Sequence, residues 1–301
     1  MAFVDEQAAR ESRRVSGMTL IELVTVIVLT GILSSVFAGL LRIPMDGYSA
    51  VSRRSELVAN ADLAVGRMAR DLRAALPNSI RVSASGTVME MIGTSDGGRY
   101  RASGGINSGH NHTAASDYIS FSGDTSFNLL GRFQSLPISY GAAMGSGTRI
   151  AVYPTSVSVW NEAAAGSNPG VITPATTTVT ISDDGDEDQI FLSASHQFSA
   201  ESPTKRLYVV DTPITYFCDL STKILSRVDG YSIVATQPTL LSAAPLSGGD
   251  AHRAAEQVAS CAFSYVPGSG TRTGLVTIEI ALSSGGESVR LLHQVEVKNA
   301  P

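Results

Sequence analysis

Several chemistries are missing from this sequence. It has no Gly-x-Ser-x-Gly elbow, no His-Glu-x-x-His helix and no phosphate-binding glycine loop. Serine hydrolysis, zinc proteolysis and nucleotide hydrolysis therefore have no motif in their favour; no enzyme activity is expected, and a membrane-tethered periplasmic enzyme is the rival reading. Positive charge is not in excess either. The 22 Lys and Arg face 27 Asp and Glu, a net charge of −5, which provides no general field for nucleic acid. No internal repeat is evident. Cysteine is nearly absent, with Cys218 and Cys261 alone in 301 residues.

What the sequence does contain is one long apolar run. From Met18 to Ile43 the only formal charges are Glu22 and Arg42, and about 20 such residues suffice to cross a bilayer as a helix. Arg10, Arg13 and Arg14 precede the run. By the positive-inside rule they keep the N-terminus cytoplasmic and send the bulk of the chain across the inner membrane. A secretory signal peptide is the competing reading. It fits less well, because the run is long, Glu22 interrupts it and the small-residue cleavage site falls after it. A carboxylate at such a place costs about 3 kcal/mol on insertion scales, so Glu22 is a functional candidate by default. The alternative is an acid tolerated near the membrane interface.

Pro44 and Gly47 follow the run, and both disfavour helix, so a kinked or melted turn is expected at 44–47. Beyond it, Val51, Val58, Val65 and Leu72 form an apolar row joined by Leu57, Ala61, Ala64, Met68 and Ala75. That is helical spacing. Arg53, Arg54, Asp62, Arg67, Arg70 and Arg73 fall mostly outside the row, either as a solvated face or as a stripe for a partner. Pro77-Asn78 ends the element.

From 78 onward Ser, Thr, Gly and Val dominate, and short alternating runs suggest strands. The expected strands are 79–82, 87–92, 118–121, 148–152, 177–181, 189–192, 206–210, 214–218, 223–228, 261–266, 275–282 and 288–297. Ser284-Gly285-Gly286 marks a hairpin between the last two. Segments 93–115 and 160–174 read as Gly/Ser/Asn/Ala-rich loops. The fold class is α+β, a long N-terminal transmembrane and amphipathic helix packed on a large antiparallel β-rich domain. The divisions are 1–17, 18–43 for the membrane span, 44–77 for the amphipathic continuation and 78–301 for the β-rich domain.

Both cysteines follow the span. In an oxidising compartment Cys218 and Cys261 are expected to pair, with two free thiols or metal ligation as alternatives. The loop between them, about 43 residues, makes such a bridge worth on the order of 4 kcal/mol on the chain-entropy model. Asp183-Asp184-Gly185-Asp186-Glu187-Asp188 is the densest charge run. Asp184, Asp186 and Asp188 alternate as calcium ligands can, but the EF-hand pattern is absent: Gln189 and Ser195 stand where its glycine and bidentate glutamate belong. A solvated Asp-Gly turn is the plainer reading. His110-Asn111-His112 sits in a polar loop with no Cys or acid near it in sequence, and a mobile loop is expected there.

Gly17-Met18-Thr19-Leu20-Ile21-Glu22, behind Arg13 and Arg14, resembles the prepilin processing motif of type IV pilins and type II secretion pseudopilins. The resemblance implies cleavage after Gly17 by a prepilin peptidase, loss of leader 1–17, and N-methylation of Met18, where the family usually has Phe. A methylated amine keeps its charge. The resemblance implies that this amine pairs with Glu22 of an adjacent subunit and sets axial register, since either charge alone is costly to bury. It also raises the calcium reading, because some pseudopilins bind calcium in loops near the C-terminal sheet.

Longer segments narrow the family. They are Arg70-Asp71-Leu72-Arg73-Ala74-Ala75-Leu76-Pro77-Asn78-Ser79, Arg206 to Asp219, Cys261-Ala262-Phe263-Ser264-Tyr265, Gly274-Leu275-Val276-Thr277 and Leu291 to Val297. Together they resemble the MshO-type minor pilins of mannose-sensitive haemagglutinin (MSHA) pili, and also PilW-like minor pilins and J-component pseudopilins. This implies a low-abundance subunit that primes pilus assembly and sits at the tip, contributing to cell adhesion. Its partners are then other minor and major pilins, the prepilin peptidase, the inner-membrane assembly platform and, before assembly, membrane lipid. It is then cell-surface exposed on the filament. A type II secretion pseudopilin and a tip adhesin for surface glycans are the alternative readings.

Overall fold

The computed structural model describes residues 17–107, 110–268 and 273–299, the side chains at 41–44, 46 and 107 excepted. Residues 1–16 of the expected leader lie outside them. The architecture is α+β: an apolar N-terminal helix and a large antiparallel β-rich region. The chain divides into two units, Met1–Ser52 and Arg53–Pro301. Helix α1 (Leu20–Arg73) contributes to both.

In the first unit, Leu20–Leu40 has a mean hydropathy of 2.3 and is long and apolar enough to cross a membrane. Its hydroxyls bond back to the helix. Thr25 Oγ1 donates to Ile21 O at 3.0 Å, Thr30 Oγ1 to Val26 O at 2.6 Å and Ser35 Oγ to Ile32 O at 2.8 Å. Such bonds hide polar groups that an apolar surrounding cannot solvate. The expected melted turn at 44–47 is absent, for the backbone there is helical. The helix formers on both sides outweigh the local cost of a single proline and glycine.

The buried stripe of α1 keeps most of the expected row but loses its two N-terminal members. Leu57, Ala61, Ala64, Val65, Met68, Ala69 and Leu72 are buried, whereas Val51 is 69% and Val58 42% exposed. The reason is geometric. A strict seven-residue spacing drifts by about 20° per heptad on a straight helix, so Val51 and Val58 leave the face that Leu72 occupies.

The strands, in chain order, are β1 (Arg81–Val82), β2 (Val88–Arg99), β3 (Gly105–Asn107), β4 (His110–His112), β5 (Asp124–Asn128), β6 (Arg149–Val152), β7 (Val179–Asp184), β8 (Glu187–His196), β9 (Arg206–Asp219), β10 (Ile224–Asp229), β11 (Asp250–Glu256), β12 (Val258–Val266), β13 (Gly274–Ser284) and β14 (Glu287–Val297). A short helix α2 (Val159–Ala165) precedes β7. Among the described residues they form four sheets. The largest runs β1-β2-β9-β10-β11 with β6 also on β9; the others are β12-β13-β14, β5-β8-β7 and β3-β4.

The differences from expectation have local causes. The separate strands 206–210 and 214–218 are one strand, β9, because Pro213 sits where the β2 ladder shifts register. Proline is tolerated at such irregularities. The expected loop 93–115 holds the second half of β2 and the β3-β4 pair, and 160–174 holds most of α2. The expected strand 118–121 is irregular, and β5 lies just after it. The hairpin turn is Gly285-Gly286, both at positive φ, between the paired Ser284 and Glu287. Two such residues are what a type I′ turn requires.

Two main cores result. One joins the buried face of α1 to Met89, Tyr216, Leu225, Ile278 and Ile280. The other collects Tyr100, Phe127, Ile150, Ile181, Ile190 and Val209 under the β5-β8-β7 sheet.

Candidate functional site

Three places bear on function, and the first is the head of α1. Helix starts at Leu20, which puts Glu22 in its first turn. The Glu22 amide donates to Thr19 Oγ1 at 3.3 Å, an N-cap arrangement in which a Ser or Thr side chain accepts from the third helical residue. A carboxylate here also meets the positive end of the helix dipole. Glu22 is therefore compatible with the helix start, which is a reading the bare apolar run does not suggest. Gly17 lies outside the helix. A Cβ built on it meets nothing within 4 Å, and its φ is outside the left-handed region. Among the described residues, nothing in the fold demands glycine there. Met18 is 57% exposed.

The second place is the cysteine pair. Cys218 on β9 and Cys261 on β12 form a disulfide with Cα atoms 6.6 Å apart. It ties the largest sheet to the β12-β13-β14 sheet inside the core that α1 shares. The bond closes 43 residues. Chain entropy alone assigns that closure about 4 kcal/mol.

The third place is the Asp183–Asp188 turn between β7 and β8. The alternating acids do not converge. Asp188 is buried and turns inward, accepting from Phe133 N at 2.8 Å and from Tyr140 Oη at 2.9 Å. Asp184 and Asp186 instead grip His112, with Asp184 Oδ2 at 3.1 Å from Nδ1 and Asp186 Oδ1 at 3.1 Å from Nε2. Asn128 Nδ2 donates to the same Asp184 oxygen at 2.8 Å. Glu187, fully buried, receives Arg101 through a two-pronged ion pair and lies 3.9 Å from His112 Nδ1. Among the described residues no group of three or more His, Cys, Asp or Glu side chains is placed to hold a metal ion. The three candidate calcium ligands are not brought together here: Asp184 and Asp186 bond the His112 imidazole, and Asp188 turns inward.

This cluster corrects the reading of His110-Asn111-His112 as a mobile polar loop without acids nearby. The segment is strand β4, paired with β3. Its acids arrive from residues more than 70 positions along the chain, which no local pattern reveals. His112 is 2% exposed, and both ring nitrogens face carboxylate oxygens, with Asn128 Nδ2 also 3.2 Å from Nδ1. Only the doubly protonated ring donates to both; a neutral ring turns one lone pair toward a carboxylate. Burial works against the charged ring, but the Asp186 hydrogen bond and the charges of Glu187 and Asp184 outweigh it, so the His112 pKa is raised. Asp186 is correspondingly lowered, chiefly by its bond to His112. The turn itself depends on Gly185. Its φ is +77°, and an added Cβ would lie 2.6 Å from His110 Cδ2, so the ring of His110 sits where only glycine leaves room.

No protein-family model, curated protein or solved structure matches the chain.

Proposed function

We propose that this chain is a minor subunit of a type IV-like pilus, cut after Gly17, methylated on Met18 and carried at or near the filament tip. The observation that carries the reading is the hexapeptide Gly17 to Glu22 placed at the head of an apolar helix. Glycine at 17 has no packing duty among the described residues, which agrees with a residue kept for a peptidase. Among the described residues nothing covers the apolar surface of residues 20–40, which suits a segment that moves from lipid into a helical filament core. In this reading the rest of α1 is the spine laid on the pilin domain, and the β-rich domain faces the periplasm and then the surface. Its size, with long connections between strands, fits a tip position where no subunit stacks above.

Glu22 is then the register residue. In the filament it meets the Met18 amine of a neighbour, and misaligned subunits leave both charges unpaired in an apolar surrounding. Glu22→Ala is expected to abolish incorporation into filaments while leaving membrane insertion intact; unchanged incorporation would sink the register role. The class itself is tested by crosslinking in native membranes and purification of the intact protein. Co-purified pilin-like subunits support the proposal. A secreted, unassociated protein contradicts it.

A further inference from the structure

The arginines of α1 outside the buried stripe are unevenly used. Arg67 and Arg70 line a bowl of about 630 Å³ together with Asp71 from the same helix and Arg227, His252 and Arg253 from β10 and β11. Four of its six lining residues are guanidinium groups and one is a carboxylate, in a chain whose net charge is −5. That single carboxylate is already committed. Asp71 Oδ2 accepts from Tyr216 Oη at 2.7 Å and from Arg227 Nε at 2.7 Å. Arg227 is held from its other side by Asp229 through Nη1. Its fork is thereby fixed in place, with Nη2 left without a protein partner among the described residues. His252 is the cross-strand partner of Arg227, so both rise from one register position of the β10-β11 ladder.

Arg67 and Arg70 make no ion pair among the described residues. Arg253 pairs with Glu256 at the exposed surface, a kind of bond that contributes little and is easily exchanged. Uncompensated guanidinium groups gathered around one concavity repel each other, and an anion in their midst removes that cost. Among the described residues no apolar side chain lines the bowl, which favours a polar ligand over a hydrophobic one. Its volume is in the range of small-molecule sites. Guanidinium forks match the paired oxygens of phosphate and sulfate.

We propose that this bowl binds a phosphate or sulfate ester of about sugar size, with Arg67 and Arg70 closing on the oxyanion and Arg227 as its fixed anchor. The site is independent of the pilus reading and stands or falls without it. The two ester types share one chemistry but have different sources, a free phosphorylated sugar or a sulfated glycan end. The test is calorimetric titration of the full chain in neutral detergent with glucose 6-phosphate, glucose 6-sulfate and unmodified glucose. Saturable binding of at least one ester and none of glucose is expected. Preference for the phosphate assigns the free ester as source, and preference for the sulfate assigns the glycan. R67A/R70A is expected to weaken binding at least about tenfold, and added salt to weaken it further. R54A removes an exposed arginine outside the bowl and is expected to bind as wild type. Both arginines of the double variant are exposed, so its unchanged thermal melting is the folding control. No saturable binding of either ester at millimolar concentration, or equal binding by R67A/R70A and wild type, overturns the proposal.

Discussion

Residues 20–40 and 57–72 of α1 use the same apolar residue types for opposite ends. In the first stretch Leu20, Ile21, Ile27, Leu33 and Phe37 are 60–81% exposed, on all sides of the helix. In the second, Leu57, Ala61, Ala64, Met68 and Leu72 are at most 2% exposed, on one side. A stripe completes its own protein's core; an all-round apolar surface has no such partner and needs lipid or other chains. The one helix therefore buries only one of its two apolar stretches in the described fold, and its stability terms are expected to divide at the same place.

The largest test of that division is the disulfide. Replacing Cys218 and Cys261 by serine is expected to lower the stability of the β-rich region by about 4 kcal/mol, read by chemical denaturation in neutral detergent. The helical signal of residues 20–40 is expected to persist, since no residue there belongs to the disulfide's core. Next comes truncation within each stretch. Met68→Ala is expected to cost about 2–5 kcal/mol in the same assay, whereas Leu33→Ala is expected to change it by less than about 0.5 kcal/mol. Equal losses would erase the distinction between the two stretches.

A smaller effect separates the β-rich region by pH. The folded pKa of His112 is raised, so its contribution is complete below the unfolded value of about 6.5 and is lost as pH rises through the folded pKa. The groups facing it are Arg101, His110, Asp184, Asp186 and Glu187. His112→Gln is expected to be destabilising at pH 5 and progressively less so toward pH 8, measured by thermal melting. A gap that widens with pH contradicts the doubly bonded imidazolium. The smallest stability effect is expected at Gly17. Gly17→Ala is predicted to leave melting unchanged within about 0.5 kcal/mol, because a Cβ there meets nothing. The same variant is predicted to retain the full leader on a denaturing gel.

How far the sequence could be read depended on the range of each signal. The apolar run and the β-rich character are local, and they were legible. So was the cysteine pair, because two cysteines leave one pairing. Most of the helical row was legible too, with Leu57, Ala61, Ala64, Val65, Met68 and Leu72 buried; only Val51 and Val58 fall off it, since a seven-residue repeat only approximates 3.6-residue turns over three heptads. Strand β11, with the sequence Asp-Ala-His-Arg-Ala-Ala-Glu, has none of the β-branched or aromatic residues that mark strands; its partner β10 holds it in the sheet. The His112 cluster and the arginine bowl are assembled from residues distant along the chain, so their chemistry was invisible at any spacing a motif could use.

Residues 17–22 are proposed as a processing site that delivers the exposed half of α1 to a filament. Mass spectrometry of the intact protein isolated from its own cells tests this most directly. The predicted result is a chain that begins at Met18 and carries one added methyl group at its amine. A mature chain that begins at Met1, or at a cleavage point beyond the apolar run, would contradict it.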